Sequence, residues 1–197
     1  RHRAHNFQLD EIALEERGRY QKQTQHVYGL CREHSHRVDL RAVSYRAAEA
    51  IADAIASDNE AEKCHYGKEA TIGVIGAFGA DDYTPMPVLV SPTCKTEDWE
   101  SVAAWCDTAA YQWDKIAAST RGPLWMMESD GDAVRQLVFH NLLMKNTLPQ
   151  ADPLYAELSR LQLFNLQTGP HNITMGFNPK HIFKRTLLLL IIDYNRH

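Results

Sequence analysis

An α/β fold is what this chain predicts, with a mixed central sheet and helices on its faces. Three observations point that way. Short β-rich runs alternate with helix-period segments along the chain, and such alternation places helices against a sheet. Two long segments, 44–57 and 96–118, begin with good helix-capping residues. The stretch "LWMMESDGDAVRQLVFHNLL" passes directly from a short strand through an acidic turn into a helix.

In order along the chain, residues 6–33 read as a β-hairpin. "NFQLDEIALEERGRY" has apolar residues at alternating positions, Phe7 and Leu9 among them, and "HVYGLCREH" is a second short apolar run. "SYRAAEAIADAIAS" is an Ala-rich helix with Ser44 as its N-cap. "EATIGVIGAFG" and "VLVSPT" are strands on either side of the Pro-marked turn "DDYTPMP".

Residues 96–118 form a helix. Thr96 is placed as its cap, and Trp99, Val102, Ala103, Cys106, Ala110, Trp113 and Ile116 form its apolar face. Gly122-Pro123 ends that helix, and "LWMM" is a strand. Residues 131–146 are helical, with Val134, Leu137, Val138 and Leu142 on one side. Residues 161–166 and "ITMGF" are further extended pieces. "PKHIFKRTLLLLII" is a final helix with Pro179 in its first turn.

The chain has 197 residues, 44% hydrophobic and 23% charged, which suits one folded domain with a real core. A net charge of −4 argues against a wholly basic nucleic-acid binder and leaves room for a local patch. Four widely spaced cysteines and no apolar N-terminal leader indicate reduced thiols and an intracellular location, nuclear or cytoplasmic. The longest apolar run, Leu187–Ile192, is too short to span a bilayer.

The acids ask for a reason. Asp10 sits inside an apolar strand, where a short acid is unfavourable. Asp130 stands where a strand ends and a glycine opens a turn. By themselves these fit a solvent-facing strand position and a turn with a helix cap, and Asp132 fits the cap. Together they also fit phosphoryl chemistry with divalent metal ions, which needs carboxylates from separate strands.

"FQLDEIALEERGRY", "YGLCREHS", "PVLVSPTCKTE", "SDGDAVR", "LFNLQTGPHNITM" and "KHIFKR" occur in this order across nearly the whole chain. In these segments the sequence resembles a group of fungal, mostly basidiomycete, transposon-derived proteins with a ribonuclease-H-like core. It is more distantly similar to P-element and hAT-type transposases. The resemblance implies a ribonuclease-H-like mixed sheet of about five strands flanked by helices, a single domain over 6–193 that is truncated at its C-terminus.

It also implies Asp10 and Asp130 as catalytic acids that bind Mg²⁺ or Mn²⁺, and DNA as a partner. A third acid, a Glu on a late helix in the family, has no equivalent before the chain ends. Gly176 and Asn178 stand where relatives tend to carry Asp. The expectation is therefore a degenerate, nucleic-acid-associated domain. The alternatives are an active two-metal nuclease or transposase, with Glu157 or Asp193 as third acid, and a domesticated interaction module without catalysis.

"PKHIFKR" offers Lys180, His181, Lys184 and Arg185 as a phosphate-backbone contact, against the plainer reading of a solvated helix face. Cys31, His34, His36, Cys64 and His65 invite a zinc reading, but neither half has a usual zinc spacing. They read as a buried cysteine with loop histidines. Cys94, Cys106 and the four tryptophans read as core residues.

Overall fold

A computed structural model describes residues 3–79, 84–153, 155–162, 164–180 and 183. The strands and helices follow in the order β1 (His5–Ala13), β2 (Arg19–Gln21), β3 (His26–Tyr28), α1 (Tyr45–Ala56), β4 (Glu69–Ala77) and β5 (Met86–Thr93). Then come α2 (Trp99–Ile116), α3 (Ala118–Arg121), β6 (Leu124–Ser129), α4 (Ala133–Leu143) and β7 (Asn146–Thr147). α5 (Tyr155–Leu158), β8 (Gln167–Thr168) and β9 (Thr174–Phe177) complete the set.

Five strands form the main sheet in the order β5-β4-β1-β6-β9. β6 runs parallel to both β1 and β9. β1 and β4 run antiparallel: the Leu14 N–H reaches the Lys68 carbonyl, and the Phe78 N–H reaches that of Ala4. The result is a mixed α/β sheet flanked by helices, as the sequence predicts, and its strand order is consistent with a ribonuclease-H-like fold.

By packing, the chain divides into two compact units. The first holds Arg1–Leu9, Val74–Met86 and Asp98–His197; the second holds Asp10–Gly73 and Pro87–Glu97. In the first, Phe7, Leu9, Ile75, Leu124 and Met127 of the sheet bury against Val102, Cys106, Ala110 and Trp113 of α2 and Val138, Phe139 and Leu143 of α4. Each large apolar side chain buried here contributes roughly 1.5–3 kcal/mol. Trp113 keeps its indole N–H satisfied on the Gly122 carbonyl at 3.0 Å. In the second unit the fully buried apolar cluster is Leu30, Ile51 and Cys64, with Val27, Leu40, Ile55 and Tyr66 partly buried around it.

Several local expectations need correction. The N-terminal segment is not one hairpin: β1 joins the main sheet, and the small hairpin is β2 with β3. Asp98, not Thr96, caps α2, accepting the Ser101 N–H at 2.8 Å; the Thr96 hydroxyl instead lies 3.0 Å from the Cys94 sulfur. Ile116 is 71% exposed, because α2 ends there and its buried stripe stops at Trp113.

α4 is turned from the expected face. It buries Arg135, Val138, Phe139 and Leu143, while Val134 and Leu137 are exposed. Trp125 is not core. The register of β1 against β6 slips between His5 and Asn6, which pair with Leu124 and Met126. Trp125 is left unmatched on the bulge and 57% exposed. The described residues of 161–166 form no strand, and the extended pair there is β8 with β7. Ser44 does cap α1, accepting the Ala47 N–H at 3.2 Å. All four cysteines are free and buried.

Candidate metal and nucleic-acid site

β6 ends on Ser129, and the next three residues make a tight acidic turn into α4. Gly131 adopts a φ of +75°, a left-handed conformation in which glycine carries no steric penalty. A Cβ at that position would also crowd the Phe177 ring at 3.2 Å. The turn is tied by its own polar groups. The Gly131 N–H reaches the Ser129 hydroxyl at 3.2 Å, and the Gln136 amide donates to the Gly131 carbonyl at 2.7 Å. Asn178, just past β9, donates its N–H to the Ser129 carbonyl at 2.9 Å.

The two aspartates have different duties. Asp132 is the N-cap of α4, accepting the N–H groups of Val134 at 2.8 Å and Arg135 at 3.1 Å. Its second oxygen lies 3.9 Å from Arg135 Nε. Asp130 is half-buried, and Oδ1 accepts the Asp132 N–H at 3.2 Å. Oxygens of the two carboxylates lie within 4.8 Å of each other. This is a hard, oxygen-only donor pair, the kind that suits Mg²⁺ or Mn²⁺.

Arg135 is a member of this region that the sequence reading missed. It is 4% exposed, and its guanidinium lies over the Trp105 ring at 5.2 Å. This buried cation lies beside the Asp132 carboxylate, with Nε 3.9 Å from Oδ2, and attracts that charge. The signal was available in "SDGDAVR": an Arg three residues after the cap faces back towards it on a helix.

Because Asp132 closes two backbone donors, Asp132→Ala is expected to destabilise by about 0.5–2 kcal/mol, the range for a lost N-cap. Chemical denaturation with Ser44→Ala as a matched cap deletion in α1 checks this. An unchanged midpoint for Asp132→Ala would refute the capping role.

Asp10 lies on β1 in the second unit, exposed, with Oδ1 accepting the N–H of Glu11 at 2.9 Å. Lys180 is exposed, and its N–H donates to Asn178 Oδ1 at 3.0 Å. His181, Lys184, Arg185 and Asp193 lie outside the described residues. Glu157 is exposed on the short α5.

The sheet order and an acid directly after its central parallel strand define an α/β domain with a carboxylate turn at the carboxyl end of β6. No protein-family model matches the chain, and no curated protein does. Among solved structures, the Drosophila P element transposase strand transfer complex is similar, with a TM-score of 0.48 and 12% sequence identity over 93% of this chain. The match covers 28% of that structure's chain. Among the described residues no helix is long and apolar enough to cross a membrane.

Proposed function

We propose that this chain is a transposase-derived, ribonuclease-H-like domain that associates with DNA and holds a divalent cation at Asp130. Asp10 is the other metal-binding acid that the sequence resemblance nominates. The observation that supports this most is the position of Asp130. It is the first residue past β6, the strand that pairs in parallel on both sides. In open α/β sheets, ligands bind at the carboxyl ends of such strands.

Asp132 is committed to the α4 cap and the Arg135 contact, so Asp130 is the better ligand of the two. When bound, a Mg²⁺ or Mn²⁺ ion there would neutralise charge on a phosphate oxygen. The chain's own part is to hold the Asp130 carboxylate in place through the Asp132 N–H and the Gly131 turn. Lys180, His181, Lys184 and Arg185 are the residues we nominate for the DNA phosphates.

The degenerate form of this reading is favoured by Asn178. Where the resemblance leads one to expect an acid, an amide stands and accepts the Lys180 N–H. The expected behaviour is metal binding with little or no DNA cleavage.

Calorimetric titration with Mn²⁺ tests the proposal. Wild type should give a saturable heat that Asp130→Ala abolishes. Absence of heat in folded wild type would eliminate the metal reading and leave an interaction module. Robust Mn²⁺-dependent cleavage of labelled DNA would instead establish the active nuclease.

A further inference from the structure

The second unit carries a cluster of soft donors that the acidic turn does not use. The segment "LCREHS" is anchored at Leu30, which bridges Tyr66, and at Cys31, whose N–H reaches the His65 carbonyl at 2.9 Å. The chain then coils: the N–H groups of His34 and Ser35 both point to the Cys31 carbonyl, at 3.4 and 3.0 Å. Residues three apart on such a turn face the same way, so Cys31 and His34 converge.

The two residues between them latch this turn onto the end of β5. The Arg32 N–H reaches the Pro92 carbonyl at 2.9 Å. Its guanidinium binds the Glu97 carboxylate, the Thr71 hydroxyl at 3.0 Å and the Ser91 carbonyl at 3.2 Å. The Glu33 carboxylate accepts from the Thr93 hydroxyl and from the Cys94 N–H at 3.4 Å. These contacts deliver Cys94, far away in sequence, to the other two.

His34 Nδ1 then lies 3.1 Å from Cys31 Sγ and 3.4 Å from Cys94 Sγ. One donor atom from each of the three residues lies within 4.8 Å of the others. In a tetrahedral zinc site with ordinary Zn–S and Zn–N bonds, donor atoms stand about 3.5–3.8 Å apart, so small shifts would admit the ion. Both sulfurs are shielded from water, Cys31 at 0% and Cys94 at 3% exposure.

We propose that Cys31, His34 and Cys94 bind a zinc ion that staples this unit together. The donor set is two thiolates and one imidazole, the soft chemistry that selects zinc over magnesium. His65 is the soft donor at hand for the fourth position. Its ring centroid is 4.6 Å from that of His34, and its Nε2 is 3.3 Å from the Glu60 carboxylate, a partner of the kind that orients metal-bound histidines. Cys64 is committed elsewhere, donating to the His34 carbonyl at 3.3 Å.

Without metal the Cys31 thiol is protonated. Burial, then the hydrogen bond with Cys94, pushes the Cys31 thiol up to about 12. Burial, and after it Arg37, lowers the His34 pKa and keeps the imidazole neutral with a lone pair to give. Zinc binding forms two Zn–S bonds and one Zn–N bond and releases the two thiol protons to solvent. The fully buried apolar cluster of this unit is small, the situation in which a structural metal contributes most.

Cobalt titration of the reduced, metal-stripped full chain tests the site, with circular dichroism to confirm folding. Wild type should take up about one equivalent, with thiolate-to-cobalt charge transfer and tetrahedral visible bands, and zinc should displace it. Cys31→Ser and Cys94→Ser should each lose the signal. Cys106→Ser, in the first unit, and Asp130→Ala should keep it. Thr96→Val, which removes the hydroxyl beside Cys94 Sγ, should weaken binding about tenfold. No charge transfer in folded wild type would overturn the proposal, as would a full signal in both Cys31→Ser and Cys94→Ser.

Discussion

Replacing Gly122 with alanine is expected to destabilise the protein by about 2–6 kcal/mol, the sum of backbone strain and overpacking. Gly122 ends α3 with a φ of +114°, and its N–H closes on the Ala118 carbonyl. An added Cβ would sit against the Arg3 carbonyl oxygen, far inside contact distance. Arg3 cannot step aside easily. The backbone two residues on enters β1, where the His5 N–H is held by the Pro123 carbonyl at 2.9 Å.

Guanidinium denaturation of Gly122→Ala against Gly79→Ala separates the two contributions. Gly79 has a φ of +147°, yet its Cβ would meet only the Arg3 guanidinium at 4.0 Å. It should therefore show the strain alone, about 1–3 kcal/mol. Equal losses in the two variants would mean that the Arg3 contact has no energetic weight.

Phe139→Ala is expected to cost about 3–5 kcal/mol, as deletion of a buried aromatic ring does. Phe139 is fully buried between α2, α4 and the sheet, and its ring stacks with that of Phe177 at 6.0 Å. Phe177 in turn backs the Gly131 turn, so the loss should also loosen the segment that carries Asp130. Phe139→Leu, which keeps most of the volume, should lose much less. A denaturation midpoint for Phe139→Ala within error of wild type would contradict the packing described here.

The fold class was readable because several signals agreed. Ser44, the alternating β1 residues and the strand-turn-helix around Asp130 each say locally what the sheet requires globally. The misses have particular causes. α4 turned because Phe139 and Leu143 outweigh Val134 and Leu137 in apolar volume, and because Arg135 could be buried over Trp105. Periodicity treats a cation as a surface residue and cannot foresee that contact. Trp125 escaped because a bulge is a matter of pairing between two strands, invisible in either alone.

The acidic turn was legible as a helix cap, and Asp132 forms it; Asp130 beside it is the residue we propose for the cation. The Cys31-His34-Cys94 cluster was legible only in part: Cys31 and His34 stood out as candidate zinc ligands, while Cys94 read as core. Its third member lies sixty residues away from His34, and motif spacing cannot detect a ligand that the sheet brings in.

β5 is the outermost strand at one end of the main sheet, and it exposes Val88 and Val90. An exposed apolar edge is the usual seed of strand-on-strand aggregation. Here Pro87 and Pro92 remove two amide donors from that strand, and the Pro92 carbonyl is already taken by the Arg32 N–H. A foreign strand approaching this edge meets an interrupted ladder. Pro92, facing away from β4 with its carbonyl held by Arg32, thus leaves that edge a poor template for a second strand.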